Sequence, residues 1–177
     1  HRNQRLPCLV LRTSRFFPEE DDVVERRAGF DDANLKLNEL VYRRVDIEDV
    51  VSALLLAMDK APALGFGKLI ITATTPFSRE DAAELGLDAP AVLRRRVPGY
   101  EAIYARQGWK MLPALDRVYD NTRARNLLGW TPRYHFARAA QRVSRPRSAQ
   151  RARPRGRIEG LPCGMSSRLA DCMEQLA

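Results

Sequence analysis

The chain has 177 residues, 45% of them hydrophobic, with 30 basic and 22 acidic side chains for a formal net charge of +8. This suffices for one domain with a sizeable core, and no apolar run approaches the roughly 20 residues of a membrane span, so no membrane partner is expected. Cys8, Cys163 and Cys172 are odd in number and unpatterned in spacing, which argues against a disulfide framework or a metal site and leaves a reduced, cytoplasmic setting as the expectation.

In chain order, residues 9–11 are a short apolar run ending at Arg12, the pattern of a buried parallel strand whose carboxyl end faces a ligand crevice. Residues 19–25 are acidic and read as a solvated loop. Asp32 is placed to cap a helix running to about Tyr42, with Leu37, Leu40 and Val41 inward. A second helix is capped by Asp46, with Asp49 three positions on. Its Ile47, Val50, Val51, Leu54, Leu55 and Met58 repeat at the spacing of a core-facing stripe. Residues 68–72 read as a strand, Ser78 with Asp81 as a capped helix start, and residues 89–107 as two helical pieces divided at Pro98. Asp120 suits the N-cap of a helix over 122–128, Gly129 can end it in a left-handed turn, and Pro132 prevents its resumption. Trp109 and Trp130 read as core anchors. His135 has no Ser or Cys partner at readable spacing and reads as exposed.

The last part of the chain differs in composition. Residues 133–177 hold ten arginines, no lysine and three acids, so seven of the eight net positive charges lie there. Beyond Phe136 there is no aromatic residue, and such a stretch cannot bury enough apolar surface to offset chain entropy, so residues 144–177 are expected to be disordered. Arginine without lysine, together with Ala, Pro and Gly, is also what a GC-rich gene yields when translated out of frame. The other reading is a basic arm that contacts phosphate nonspecifically. No stacking aromatic or nucleic-acid motif accompanies it, so nucleic acid is not the expected partner.

Three segments carry a family resemblance. Residues 9–18 (LVLRTSRFFP) are similar to a strand and loop written R-x-S-x-x-Y-G-P, and residues 44–58 (RVDIEDVVSALLLAM) to a helix written R-x-V-D-V-x-D-V-A-x-A. Residues 120–132 give D-x-x-x-A-x-x-x-L-G-W-x-P. In this order they resemble the late part of the extended short-chain dehydrogenases/reductases, the NAD-dependent epimerase/dehydratase family. The resemblance implies an α/β fold: the late strands of a Rossmann-type sheet plus a small mixed α/β substrate-binding subdomain over residues 1–143, then the tail 144–177. It further implies NAD or NADP as cofactor and a nucleotide sugar or related small molecule as substrate of the intact enzyme, for which a homodimer is an option.

Two signatures of that family are missing from this sequence. There is no G-x-x-G-x-x-G turn to bring backbone against a pyrophosphate. Nor is any of Tyr42, Tyr100, Tyr104, Tyr119 and Tyr134 followed four residues on by the lysine of a Tyr-x-x-x-Lys pair. With His1 directly ahead of a strand, the chain reads as a C-terminal, substrate-side piece with no catalytic residue of its own. A noncatalytic module of the same fold that senses a nucleotide is the alternative.

By the resemblance, Ser14 and Arg15 border the cofactor, Phe16 and Phe17 border the substrate, and Arg43 or Arg44 holds a diphosphate, for which a planar guanidinium fork is suited. Read from the residues alone, the phenylalanines are packing and the arginine pair is helix-flanking surface. Arg94, Arg95 and Arg96 are consecutive on a helix and point in different directions, so they do not form one site. Asp46 and Asp49 are explained by capping without acid–base work.

Overall fold

The computed structural model describes residues 5–16 and 28–144. Phe17, the acidic 19–25 loop and the tail beyond 144 lie outside the described residues. Strand β1 (Cys8–Thr13) pairs in parallel with β4 (Phe66–Ile71), from Cys8 opposite Phe66 to Thr13 opposite Ile71. Parallel neighbours need a crossover. Here it carries β2 (Arg15–Phe16), α1 (Asp32–Leu40), β3 (Arg44–Val45) and the long helix α2 (Ile47–Leu64). β2 and β3 form a second parallel ladder, Arg15 opposite Arg44 and Phe16 opposite Val45. After β4 come a 3-10 turn (Arg79–Asp81), α3 (Ala82–Leu85), α4 (Ala89–Arg96), α5 (Tyr100–Gln107), α6 (Thr122–Leu128) and α7 (Phe136–Ser144). The described residues are thus a mixed α/β structure, with none of its helices long and apolar enough to cross a membrane.

Helix α1 starts one residue before the sequence suggests. Asp31, not Asp32, is the cap, its Oδ1 accepting from the backbone N–H groups of Ala33 and Asn34 at 3.0 and 3.3 Å. The helix is buried from Ala33 to Leu40, polar residues included. Asn34 and Asn38 both donate to the carbonyl of Lys110, at 3.0 and 2.9 Å, and the Tyr104 hydroxyl donates to Asn38 Oδ1 at 2.8 Å. These bonds satisfy amides that would otherwise be costly inside. Leu37, Leu40 and Val41 then anchor the larger core with α4, α5, residues 111–115 and Phe136 of α7.

A smaller core joins α2, β4 and α6 through Ala53, Ala57, Leu69, Ile71, Ala124, Leu128 and Trp130. This corrects the face assigned to α2. Asp46 does cap it, accepting from the Glu48 N–H at 2.8 Å, but the inward face is Asp49, Ala53 and Ala57. Leu55 and Met58 are 60% and 66% exposed, and Val51 and Leu54 are also exposed. At 100° per residue these four lie opposite the alanines. The helix is apolar nearly all round, so periodicity cannot choose its face, and the small alanines permit the close approach to the sheet.

Gly129 ends α6 at φ 67°, the left-handed region where a side chain would be strained. The turn it makes delivers Trp130, 2% exposed, into the smaller core, with Nε1 donating to Ser52 Oγ of α2 at 3.0 Å. Asp49, expected to serve a capping role, instead accepts the backbone N–H groups of Arg133 and Tyr134 at 2.8 and 2.9 Å. It locks the turn that follows Pro132 onto α2.

Candidate functional site

The carboxyl ends of β1 and β4 lie side by side, the place where open parallel sheets bind ligands. Ser14 leaves β1 with its backbone N–H donating to the Ile71 carbonyl at 2.9 Å. Its side chain is 4% exposed, and the hydroxyl oxygen has no hydrogen-bond partner among the described residues. Buried hydroxyls are normally satisfied, so this one is an exception. The next two residues, Arg15 and Phe16, pair with Arg44 and Val45. Five of the six residues singled out from the sequence therefore meet at one place, although they come from segments about thirty positions apart.

The arginine pair is not the solvated surface that composition alone suggests. Arg44 is 1% exposed and clamps Glu39 of α1, Nε and one terminal nitrogen both donating to Oε2, at 2.6 and 2.5 Å. Its other terminal nitrogen donates to the Phe16 carbonyl at 3.4 Å. Arg43 donates to the second oxygen of Glu39 and stands 5.3 Å over the Tyr42 ring. Glu39 is fully buried, so its charge is tolerated because two guanidinium groups flank it. A diphosphate at Arg44 would have to displace Glu39. Arg44 thus positions β2, and Arg43, at the edge of the pair, is the one partly exposed.

Two clefts flank the loop that follows β4. The first, about 380 Å³, lies between Thr75, Phe77, Arg79, Arg117 and Asp120. The second, about 350 Å³, lies between Thr74, Thr75, Arg125, Thr131, His135 and Phe136. Thr75 belongs to both, and neither is lined by Ser14, Arg15, Phe16, Arg43 or Arg44. Sequence reading missed these walls because the residues are spread over 74–137 and carry no motif spacing. His135, expected to be exposed, is half-buried in the second cleft. Asn121 orders the loop between them, its amide donating to the Thr72 carbonyl at 2.8 Å and Thr74 Oγ1 at 3.1 Å.

The remaining charged clusters are structural. Arg95 and Arg96 both bind Asp81, which is buried, and Arg94 binds Glu101. Hydrogen bonds from Arg96 in particular hold the Asp81 carboxyl far below its usual range. At the start of α2, burial pushes the Asp46 carboxyl up to about 6, with Asp49 and Glu48 adding repulsion. Burial raises Asp49 as well. Asp46 and Asp49 are engaged with backbone N–H groups: Asp46 caps as the sequence suggests, whereas Asp49 tethers a distant turn instead of capping. Among the described residues, no three His, Cys, Asp or Glu side chains are placed to hold a metal ion. No protein-family model matches the chain, and neither a curated protein nor a solved structure matches it.

Proposed function

We propose that the chain is the substrate-binding portion of an NAD(P)-dependent epimerase or dehydratase acting on a nucleotide sugar. One observation carries this reading: the β2–β3 ladder sets Arg15 opposite Arg44 and Phe16 opposite Val45, with Ser14 and Arg43 the residues just before each strand, at the carboxyl end of a parallel strand pair. These are the residues that the resemblance gives to the cofactor and the substrate, and they come from segments that pairing alone brings together. In this reading Arg43 offers its guanidinium to the diphosphate, Phe16 packs on the sugar or the nicotinamide, and the Ser14 hydroxyl turns to the cofactor. Arg44 and Glu39 hold β2 in place without touching ligand. Hydride and proton transfer need groups that this sequence does not contain, so the chain's share is specificity.

The test is a panel of uridine, guanosine and thymidine diphosphate sugars titrated into the full chain and followed by amide chemical shifts. Saturable shifts at Arg15, Phe16 and Arg43, weakened about tenfold by Arg43→Gln, are expected, since loss of a charge-assisted phosphate bond costs on the order of 1.5–3 kcal/mol. If no member of the panel perturbs these amides at millimolar concentration, the reading is wrong.

A further inference from the structure

The two clefts beside the β4 loop differ in charge. The first has Arg79 and Arg117, but also Asp116 and Asp120, and Arg117 is tied to Asp116 at 2.6 Å. The second has Arg125 and His135 and no carboxylate in its wall. Among the described residues the Arg125 guanidinium makes no ion pair or hydrogen bond, although its charge reaches Asp120 of the neighbouring cleft. Thr74, Thr75 and Thr131 add three hydroxyls. The Asn121 amide donates to Thr74 Oγ1, which leaves that hydroxyl's own proton free to be given away. Phe136 and Ala137, which also line the cleft, open α7, whose first turn carries no acidic side chain. The helix dipole therefore adds to the positive potential there.

Val97, Pro76, Pro132 and Phe136 supply an apolar wall beside these donors. We propose that the second cleft binds a small organic phosphate ester, with Arg125, His135 and the threonine hydroxyls on the phosphate and the apolar wall on the organic group. A guanidinium fork with several hydroxyl donors matches the three oxygens of a phosphate monoester better than the two of a carboxylate. The cleft volume, about 350 Å³, is at the lower end of the range for small-molecule sites. Inorganic phosphate would leave the apolar wall in water. The site shares no residue with the Ser14 to Arg44 group, so it stands or falls apart from the proposed enzyme activity.

Calorimetric titration of the full chain with phenyl phosphate, inorganic phosphate and benzoate, at constant ionic strength, tests it. Phenyl phosphate should saturate one site and bind at least tenfold tighter than either of the others. Arg125→Gln should weaken it about tenfold and His135→Gln several-fold, with melting curves unchanged. Arg79→Gln, in the other cleft, should leave it as it was. Binding that does not saturate, inorganic phosphate or benzoate binding as tightly as phenyl phosphate, or both variants binding like wild type would overturn the proposal.

Discussion

Trp130 shows what a single side chain does in this fold. Its indole fills the smaller core, and its N–H is satisfied by Ser52. Trp130→Ala removes both and leaves a cavity between α2 and α6, which should cost about 3–5 kcal/mol. Arg95→Ala removes bonds to Glu84 and Asp81 from a half-exposed guanidinium and should leave the midpoint near wild type, because solvent screens such pairs and Arg96 still holds Asp81. Equilibrium urea unfolding of the two variants distinguishes them; equal midpoints would mean that the Gly129–Pro132 turn is not docked. Asp46 gives a second residue-scale prediction. Its folded carboxyl titrates at about 6 against an ordinary 3.8, so the folded state takes up a proton that the unfolded state does not over that interval. Stability should therefore rise as pH falls from about 7 to 5.5. Groups with lowered values, such as Asp81, act the opposite way, but only nearer and below their unfolded range. Asp46→Asn keeps the capping oxygen and removes this carboxyl's titration, so its urea midpoint should rise less than that of wild type across that window, the neighbouring Asp49, also raised by burial, supplying part of the slope that remains; a variant as steep as wild type would contradict the assignment.

At the scale of elements, α1 and α2 show what a sequence does and does not reveal. The existence of α2, its Asp46 cap and the Gly129 stop were all legible, because caps and glycine turns are local chemistry. The inward face of α2 was not. A helix apolar on all sides leaves the choice to its neighbours, and here the neighbours take the alanine side. Nor was it legible that α1 would bury Asn34, Asn38 and Glu39. Their partners, Lys110, Tyr104 and Arg44, satisfy them through tertiary contact, in the first two cases across more than sixty positions. The candidate site divides in the same way. Ser14, Arg15 and Phe16 directly follow a strand that an apolar pattern can forecast, although the short strand β2 formed by Arg15 and Phe16 was not itself legible, whereas the clefts are assembled from loops and helix ends with no shared spacing. The difference between the two helices can be measured. Leu37→Ala, in the larger core, should cost about 2–5 kcal/mol, and Leu55→Ser, on the open side of α2, within about 0.5 kcal/mol. Comparable losses in urea midpoint would show that the outer face of α2 is covered.

For the molecule as a whole, the contacts available to a dinucleotide decide what this chain can do alone. NAD is usually held at its pyrophosphate by backbone N–H groups of a glycine turn at a helix N-terminus, and this sequence has no such turn. On the proposed reading, what remains for a dinucleotide is Arg15, Phe16 and the Ser14 hydroxyl at the end of β1. One charge-assisted hydrogen bond and one ring contact contribute a few kcal/mol at best. Association costs draw on the same few kcal/mol, and a millimolar Kd already needs about 4 kcal/mol of net binding. The chain should therefore bind NAD no better than millimolar. It should also show no epimerase, dehydratase or oxidoreductase turnover, since no Tyr-x-x-x-Lys pair is present to exchange a proton. Calorimetric titration with NAD, run beside a turnover assay with a nucleotide-sugar panel, measures both. Micromolar NAD binding, or any turnover proportional to chain concentration, would mean that this chain supplies a cofactor cradle and a proton relay from residues other than those the family resemblance points to.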